Sequence, residues 1–544
     1  MQTPILGSAY VARSVNAADS RMVNLFPEMV PEGGKQPAFL QRCPGLTLRV
    51  NVGAGFIRGM WQHGGYLYVV SGNTFYQVSS TWTVVSKGTV AGTSLVSMAD
   101  NGTQIMIAAD PAGYIYNTST GVFAQITDPD YPGASVVDYL DGYFVFIEPN
   151  SQRIWVTALL DGTSIDPLDF VSAEGDPDNI VSMIVDHREV WLFGSNSTEV
   201  WYNAGLSDFP LVRIQGAFNE LGCVARYSTA KMNNQVYWLG KDDRGQGVVY
   251  QTNGYMGQRI STHAIEWQIQ QYGTISDAVA YTYQQDGHSF YVLTFPSVGK
   301  TWAYDAVTGA WHERAGWSNG QWTQQRGLTQ VFYNNQVLVG DYENGNVYAY
   351  DLDVYADNGA TQRWLRSWRA LPAGENTLRR TAQHALQLDC ETGVGLTGQA
   401  AYAAQDLTVE NGALIIIEFV QNDLTTEDGL LLITETGVEP DVLVDTPTPP
   451  YATMPPTYLT TSATEATIGY DPEVMLRWSD DGGHTWSNEH WRSMGKIGQF
   501  GYRTIWRRLG MTLKLRDRVY EVSGTDPVKL AIMGAELQVS GTNA

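Results

Sequence analysis

At 544 residues the chain is several times the size of an average domain, so more than one domain is expected. Charged residues make up only 16%, whereas 55 Gly, 30 Tyr and 17 Trp favour strands and tight turns over helices. The formal net charge of -23 argues against a protein that grips nucleic acid through clustered Lys and Arg. This charge is compatible with an acidic protein past which DNA slides, and it is equally compatible with a charge that simply keeps the protein soluble.

The chain has three cysteines, Cys43, Cys223 and Cys390. They lie far apart and include no CxxC pair, so the sequence predicts neither a disulfide framework nor a zinc site. The N-terminal residues lack the charged start and apolar run of a signal peptide, and no stretch approaches the roughly 18 apolar residues of a membrane span. We therefore expect synthesis in a cytoplasm and no membrane insertion.

A repeat of low sequence identity runs through the first two thirds of the chain. In each copy a turn dipeptide leads into an alternating apolar strand, and an apolar-aromatic pair then begins a second strand. Copies five and seven share the tetrapeptide NNQV. The seven copies begin at Gly64, Asn101, Asp141, Arg188, Asn233, Asp286 and Asn334.

The copies begin 37 to 53 residues apart, a period typical of the four-stranded blade of a β-propeller. One blade cannot bury both faces of its sheet, whereas blades arranged radially bury each other. We predict an all-β protein in which residues 56–358 form a six- or seven-bladed propeller and residues 1–55 pack on it or close it. A two-sheet sandwich with irregular hairpins is the alternative.

From about Gly359 the repeat stops, and residues 359–396 and 468–544 are predicted to form a second, C-terminal β domain. Residues 397–467 are predicted to be an insertion into it. The insertion contains a tandem repeat, DLTVENGALIIIE (Asp406–Glu418) and DLTTEDGLLLITE (Asp423–Glu435), followed by a Pro/Thr-rich tether. It is interpreted either as a docking site for a partner or as a dispensable decoration.

The segment SDDGGHTW has the S-x-D-x-G-x-x-W spacing of an Asp box, formed by Ser479, Asp481, Gly483 and Trp486. Asp boxes occur in sialidases and other propellers, so a glycan-binding or glycan-degrading propeller is an alternative function. The spacing itself closes a hairpin turn, because Asp and Ser bind their own backbone. A sialidase also needs an Arg cluster and a Tyr nucleophile beside an acid, and no such set can be assembled. We predict a structural turn.

Two further motifs suggest ligands but lack their full patterns. Gly299-Lys300-Thr301 is similar to the tail of a phosphate-binding loop, yet Thr294 stands where an earlier glycine is required. Three aspartates are spaced like those of a calcium loop, yet Tyr355 stands where the third ligand is required. These aspartates are Asp351, Asp353 and Asp357. Neither motif is expected to bind its ligand.

The remaining titratable residues form no recognisable catalytic pattern. His484 and His490 belong to no HExxH motif, no GxSxG elbow occurs, and the 56 carboxylates are too many to single out a pair. The sequence therefore predicts a protein that is not an enzyme, with no catalytic residue, no metal site and no cofactor.

One basic cluster stands out against the acidic background, within GYRTIWRRLGMTLKLRDRVYEV. Strand alternation from Leu513 to Val519 would place its last three cations on one side. The cluster predicts a contact with DNA or with an acidic face of a neighbouring subunit, or else the solvated face of a strand. Its members are Arg503, Arg507, Arg508, Lys514, Arg516 and Arg518.

Three groups of segments, in the same order along the chain, carry a resemblance to one family. They are VNLFPE (Val23–Glu28) with LQRCPGLT (Leu40–Thr47), REVWLFGSNSTEVWYNAG (Arg188–Gly205), and IWRRLG (Ile505–Gly510) with LKLR (Leu513–Arg516) and DPVKLAIMGAELQV (Asp526–Val539). Together they resemble the packaged-DNA stabilisation protein of short-tailed phages, also called the tail accessory factor or tail nozzle. Residues 397–467 look extra to this pattern.

The resemblance implies a structural subunit of the virion tail, made in the host bacterial cytoplasm. Six copies would form a ring below the head-to-tail adaptor protein, retain packaged DNA and let it exit without sequence-specific binding. The ring would also contact a tailspike or tail fibre and a tail-tip or needle protein. The alternatives are a glycan-processing tail propeller and a receptor-binding protein at the tail tip.

Overall fold

The computed structural model describes the chain except residues 15–17, 33, 174, 207, 243, 372–379, 395–470, 513–517 and 542–544; within 395–470 it gives the backbone of two short strands. Strands dominate the described residues, and the predicted all-β class is confirmed. Six short strands precede the repeats: β1 Tyr10–Val11, β2 Asp19–Ser20, β3 Met22–Val23, β4 Leu25–Met29, β5 Ala38–Arg42 and β6 Gly45–Asn51.

The repeats form antiparallel sheets of consecutive strands. Blade one contains β7 Ile57–His63, β8 Tyr66–Ser71, β9 Thr74–Val78 and β10 Val84–Thr89. Blade two contains β11 Ser97–Asp100, β12 Gln104–Ala109, β13 Ala112–Asn117 and β14 Phe123–Gln125. Blade three contains β15 Val137–Leu140, β16 Tyr143–Ile147, β17 Arg153–Val156 and β18 Phe170–Ser172. Blade four contains β19 Ile180–Asp186, β20 Glu189–Gly194, β21 Thr198–Asn203 and β22 Leu211–Asn219.

The later blades repeat this plan with a short helix between two of them. Blade five contains β23 Ala230–Met232, β24 Gln235–Lys241, β25 Gly247–Asn253 and β26 Met256–Arg259, and helix α1 His263–Gln270 follows it. Blade six contains β27 Val279–Gln285, β28 His288–Phe295, β29 Lys300–Asp305 and β30 Ala310–Arg314, with a 3-10 turn at Pro296–Val298. A hairpin follows, β31 Gly316–Ser318 and β32 Gln321–Thr323. Blade seven contains β33 Gly327–Tyr333, β34 Gln336–Asp341 and β35 Asn346–Asp351.

The propeller has seven blades, which decides between the six and seven that the sequence allowed. Blade seven takes its fourth strand from β6, so the chain that precedes blade one closes the ring. The seven sequence repeats are the second and third strands of the seven blades. Their turns hold Asn, Asp or Gly at positive φ, as at Asp141 (49°) and Gly142 (101°), because these residues tolerate the left-handed region that tight hairpins require.

Aromatic and aliphatic side chains form a buried cluster between each pair of neighbouring blades. Between blades one and two, for example, the rings of Tyr68, Phe75 and Tyr116 lie 5.5–5.8 Å apart. Radial packing of this kind buries both faces of every sheet, which explains why the aromatic content is high and why single blades need their neighbours.

The second domain is a sandwich of two sheets, formed by C-terminal strands together with the N-terminal strands β3, β4 and β5. The strands that follow β35 along the chain are β36 Ala356–Asp357, β37 Ala360–Thr361, β38 Trp364–Arg369, β39 Thr381–Cys390, β40 Leu407–Thr408, β41 Leu414–Ile415, β42 Glu473–Ser479, β43 His490–Ser493, β44 Thr504–Arg507, β45 Val519–Gly524 and β46 Ala531–Gly541. Strands β36 and β37 extend blade seven, and β40 and β41 pair with each other. The tandem-repeat prediction otherwise lies outside the described residues.

One layer of the sandwich is a five-stranded sheet in the order β4-β5-β46-β39-β44. The other layer belongs to a nine-stranded sheet in the order β27-β28-β29-β30-β3-β38-β45-β42-β43, so blade six continues directly into the sandwich. The link is β3, which pairs in parallel with β30 and antiparallel with β38. The two layers enclose a core that includes Trp368, Trp506 and Tyr520.

The predicted role of residues 1–55 needs correction. Only residues 45–51 close the propeller, whereas β4 and β5 lie in the sandwich and residues 1–9 line it. The Thr3 amide donates to the carbonyl of Ala535 at 2.9 Å, and the Leu537 amide donates to that of Met1 at 2.8 Å. Sequence repeats identify blades but give no sign of such a long-range exchange of strands.

Candidate interaction site on the C-terminal sandwich

The Asp-box segment forms the turn that joins β42 to β43. The Ser479 hydroxyl donates to Asp481 Oδ1 at 2.6 Å and accepts from the Gly483 amide at 2.8 Å. Asp481 also accepts from the Thr485 amide at 2.8 Å and the Thr485 hydroxyl at 2.6 Å. These bonds close the turn upon itself, as the sequence predicts.

The hydrogen bonds from Ser479 and Thr485 hold the pKa of Asp481 far below its usual range. A carboxyl that stays ionised, and whose oxygens already accept hydrogen bonds within its own turn, is a poor general acid. Trp486 lies under the Arg477 guanidinium, 4.8 Å from it, and His490 stacks on Trp478 at 4.6 Å. The geometry of this turn therefore stabilises a hairpin and offers no catalytic constellation.

The basic cluster is divided by the fold. Arg518, expected on an exposed strand face, is only 1% exposed and forms a two-pronged ion pair with Asp480 at 2.6 and 2.8 Å. It also donates to the carbonyl of Leu509 at 2.6 Å. Arg518 is thus a structural residue, and its prediction as a contact residue is wrong. Lys514 and Arg516 lie outside the described residues.

Three members of the cluster are exposed, namely Arg503, Arg507 and Arg508. They lie in or beside β44, the edge strand of the five-stranded sheet. Arg503 donates to the side chain of Gln387 at 3.1 Å, so it is oriented without being neutralised. Among the described residues, none of the three has a carboxylate within ion-pair distance.

Sequence reasoning missed the residues that complete this site. Strand β43 exposes Trp491, and the loop from β43 to β44 exposes Ile497, Tyr502 and Phe500, the last at 76%. The available signal is the segment from His490 to Thr512, which contains five of the 33 Lys and Arg residues and none of the 56 Asp and Glu residues. Exposed aromatic side chains beside arginines are the composition of protein-protein hot spots.

The loop is held in place at both ends. The Thr392 hydroxyl donates to the carbonyl of Phe500 at 3.0 Å, and the Thr504 hydroxyl donates to that of Ser493 at 3.0 Å. Arg492 donates to the carbonyl of Ile505 at 3.3 Å, which ties β43 to β44. A surface held in this way loses little conformational freedom on binding.

The ligand-like motifs of the propeller are structural. Gly299, at φ 62°, ends the 3-10 turn, and Lys300 begins β29 and donates to Glu313 at 2.8 Å. This is a strand-to-strand connection, without the helix that a phosphate loop requires. Asp351 accepts from the amide of Asp353 at 2.9 Å in a local turn.

The third aspartate of the calcium-like spacing, Asp357, turns toward Gln362, whose amide donates to it at 3.2 Å. Burial raises the pKa of Asp357 to about 7. Within the described part of the chain, no group of three or more His, Cys, Asp and Glu side chains converges as a metal site would require. Cys43, Cys223 and Cys390 are buried free thiols, and burial raises their pKa values to about 11, 11 and 12.

A cavity of about 540 Å³ opens on the axis of the propeller. Two of its polar side chains have local partners, since Arg226 pairs with Asp110 and the Tyr227 hydroxyl donates to the carbonyl of Leu95 at 2.9 Å. This volume is far too small to admit a DNA duplex. In the same described residues, no helix has the length and apolarity that crossing a membrane demands.

Several solved structures are similar to this chain over more than half of its length. The N-terminal domain of Nup159 is 10% identical, covers 61% of this chain and 99% of its own, and has a TM-score of 0.37. YCF48 from Cyanidioschyzon merolae is 12% identical, covers 56% and 98%, and has a TM-score of 0.38. The designed protein Ika8 is 13% identical, covers 56% and 99%, and has a TM-score of 0.36. No curated protein matches the chain.

Family models match both parts of the chain. The model described as bacteriophage P22 Gp10, beta-propeller, matches residues 1–355, and the one described as bacteriophage P22 Gp10, beta-sandwich, matches residues 458–540. The order of the two matches is that of the propeller and the sandwich seen here. The chain therefore belongs to the bacteriophage P22 Gp10 family, the tail accessory proteins of short-tailed phages that its sequence resembles.

Proposed function

We propose that six copies of this chain form a ring in the virion tail, below the head-to-tail adaptor, that retains packaged DNA and conducts it during ejection. Members of the P22 Gp10 family are structural proteins of the phage tail. The ring, the retention of DNA and the passage during ejection are the finer role that we add.

The observation that carries this proposal is the nine-stranded sheet. Because β3 joins blade six to the sandwich through backbone hydrogen bonds, the two domains are coupled as one stiff body. The N-terminal strands and the buried Arg42, which donates to the carbonyls of Gln362 (2.6 Å) and Asp526 (2.7 Å), reinforce the same junction. A subunit that must resist the pressure of packaged DNA requires this stiffness.

Charge supports a conduit rather than a DNA-gripping protein. A net charge of -23 repels a phosphate backbone and so lowers the friction on DNA that slides past. Since the cavity on the propeller axis is too small for a duplex, the passage would lie on the axis of the ring, between copies.

The partners that we propose are the adaptor above the ring, a tailspike or tail fibre at its side, and a tail-tip or needle protein below it. Synthesis in the host cytoplasm and the absence of enzymatic activity belong to the same proposal. The proposed absence of enzymatic activity is supported by the Asp-box carboxylate, because its oxygens already accept hydrogen bonds from Ser479 and Thr485 in the same turn.

Electron microscopy of the purified chain, alone and added to portal-adaptor complexes, tests the proposal. We expect sixfold rings on the adaptor, and we expect virions that lack the chain to lose their DNA. A chain that stays monomeric and does not join the adaptor would contradict the ring. Release of reducing ends from host polysaccharide would support the glycan-degrading alternative instead.

A further inference from the structure

Exposed apolar side chains gather at two places that carry opposite charge. The first is the basic-aromatic surface, which we define as Trp491, Arg492, Lys496, Phe500, Tyr502, Arg503 and Arg507. It contains four cations and no carboxylate. A surface with this composition, on a strongly acidic chain, is complementary to most of the rest of the molecule.

The second place is the leucine-acidic loop, which we define as residues 158–169 between β17 and β18 of blade three. It exposes Leu159, Leu160 and Leu168, the last at 78%. No Lys or Arg occurs between Arg153 and Arg188, a stretch that contains seven Asp and Glu residues. The loop is therefore apolar and acidic where the first surface is apolar and basic.

The leucine-acidic loop is rigidly built. Asp161 accepts from the Thr163 amide at 3.0 Å, and Asp166 accepts from the Leu168 amide at 2.9 Å. Ile165 is buried and anchors the loop, and its amide donates to Asp128 at 3.1 Å. These leucines are therefore held in exposed positions by an ordered backbone. Their exposure to water is unfavourable, and a partner that buried them would gain hydrophobic free energy.

Charge within the loop is uncompensated. Partial burial and the neighbouring carboxylate of Asp166 raise the pKa of Asp169, and the loop itself contains no Lys or Arg. On the same face of the propeller, Arg188 of the next blade is already paired with Asp141 at 2.8 Å.

The topology sets the two surfaces at opposite ends of the molecule. Strand β43 is the last strand of the nine-stranded sheet, five strand spacings beyond β30, or about 24 Å at the usual spacing between strands. Blade three stands three places from blade six in the ring of seven, which is as far around the propeller as a blade can be. The surfaces therefore cannot meet within one chain.

We infer that the basic-aromatic surface of one copy docks on the leucine-acidic loop of the next copy, a head-to-tail contact that builds the ring. This inference rests on the proposed function and names its interface. Two different surfaces at opposite ends make a heterologous contact, and such contacts close into rings when the rotation between copies divides a full turn.

A second copy suits these surfaces better than the other occupants do. Two basic-aromatic surfaces facing each other would repel, which excludes a twofold contact through this patch. DNA would pair with the arginines, but it gives no role to the three exposed leucines of blade three. A second copy uses both surfaces at once.

Charge reversal on each side provides the test. One variant carries Arg503→Glu and Arg507→Glu, and the other carries Asp166→Lys and Asp169→Lys. We expect each to weaken self-association at least about a hundredfold, measured by analytical ultracentrifugation of the chain alone and on adaptor complexes. Lys241→Glu with Arg244→Glu, the same charge change in a blade-five turn, is the matched control and should assemble normally.

Exchange of the charges distinguishes a contact from a folding defect. The chain with all four substitutions should assemble again, since each reversed surface meets a reversed partner. A mixture of the two double variants should also form rings, in which they alternate. Circular dichroism and thermal melting of each variant show whether the fold is intact.

The outcomes separate this inference from the proposed function. If the wild-type chain forms rings and both double variants form them equally well, the ring stands and this interface is wrong. If the charge exchange fails to restore rings in folded variants, the pairing of these two surfaces is wrong. If Arg503→Glu with Arg507→Glu leaves rings intact but abolishes retention on duplex DNA, the basic-aromatic surface binds DNA. If no wild-type ring forms even on adaptor complexes, the proposed function fails as well.

Discussion

The propeller and the sandwich are both antiparallel β structures, yet the sequence separation of their stabilising contacts differs greatly. In the propeller, the buried Arg58 donates to the carbonyls of Gly72 (3.0 Å) and Ser94 (2.5 Å), at most 36 residues away. In the sandwich, the buried Arg366 donates to the carbonyls of Ile5 (2.7 Å) and Gly7 (2.5 Å), about 360 residues away. Blades can form from neighbouring hairpins, whereas the sandwich is complete only when both ends of the chain have met.

The junction between the two regions depends on buried charge as well as on backbone pairing. Glu313, in the outermost strand of blade six, accepts from Arg21 at 2.9 Å and from Lys300 at 2.8 Å. Arg21 directly precedes β3, so this ion pair reinforces the strand that links the two regions. Perturbing one region and then the other should therefore give separable results.

The largest effect is expected from Arg366→Met. The substitution leaves the carbonyls of Ile5 and Gly7 without their Arg366 donor, at a cost of about 1–3 kcal/mol each, so we expect a loss of about 3 kcal/mol in unfolding free energy. Limited proteolysis should then cleave the N-terminal residues. Chemical denaturation and mass spectrometry of the fragments measure the two effects.

The matched control for Arg366 is Arg58→Met, which leaves carbonyls of blade one and its connection to blade two without a donor. It should destabilise the propeller and leave the N-terminus protected. Equal release of the N-terminus in both variants would show that the two regions do not differ in the way we describe.

An intermediate effect is expected from Glu313→Gln, about 2 kcal/mol at pH 7, because it leaves the cations of Arg21 and Lys300 without their partner. Burial opposes the ionisation of Glu313, but these cations outweigh it and lower its pKa below the usual 4.5. Stability from this group is therefore present above about pH 4.5 and is lost as the pH falls through the folded-state pKa.

Denaturant midpoints between pH 3 and pH 7 should show this loss in the wild type and a smaller slope in Glu313→Gln. Glu343→Gln, which breaks an exposed pair with Arg326, is the control and should change little. A wild type and a Glu313→Gln variant with parallel pH profiles would be evidence against a role for this ion pair in the junction.

The smallest effect is expected from Asp481→Asn in the Asp-box turn. The amide keeps one acceptor for the Thr485 amide, so only a slight decrease in melting temperature is expected, with no change in assembly. Asp242→Asn is the counterpart in the propeller, since Asp242 accepts from the amides of Arg244 (2.9 Å) and Gln246 (2.8 Å) in a similar turn. A loss of polysaccharide binding confined to Asp481→Asn would revive a glycan function.

For the candidate site, as for the two regions, a feature could be predicted only where its contacts join residues that are close in sequence. The Asp-box turn was predictable because its bonds join residues a few positions apart, and the structure forms them as expected. The burial of Arg518 could not be predicted, because strand alternation cannot show that Asp480, 38 residues away, pairs with it in the interior. The exposure of Phe500 depends likewise on the anchoring of its loop by Thr392, more than 100 residues earlier.

The sequence by itself determined the all-β class, the blade repeat and the acidic character, because strand periodicity, turn residues and composition are local properties. The tertiary structure alone decided that there are seven blades, since β6 closes the last blade from the far end of the repeat. It alone decided that the first residues complete the sandwich and that the exposed cations and aromatics share one edge. These features depend on pairing between distant strands, for which a single sequence contains no periodic signal.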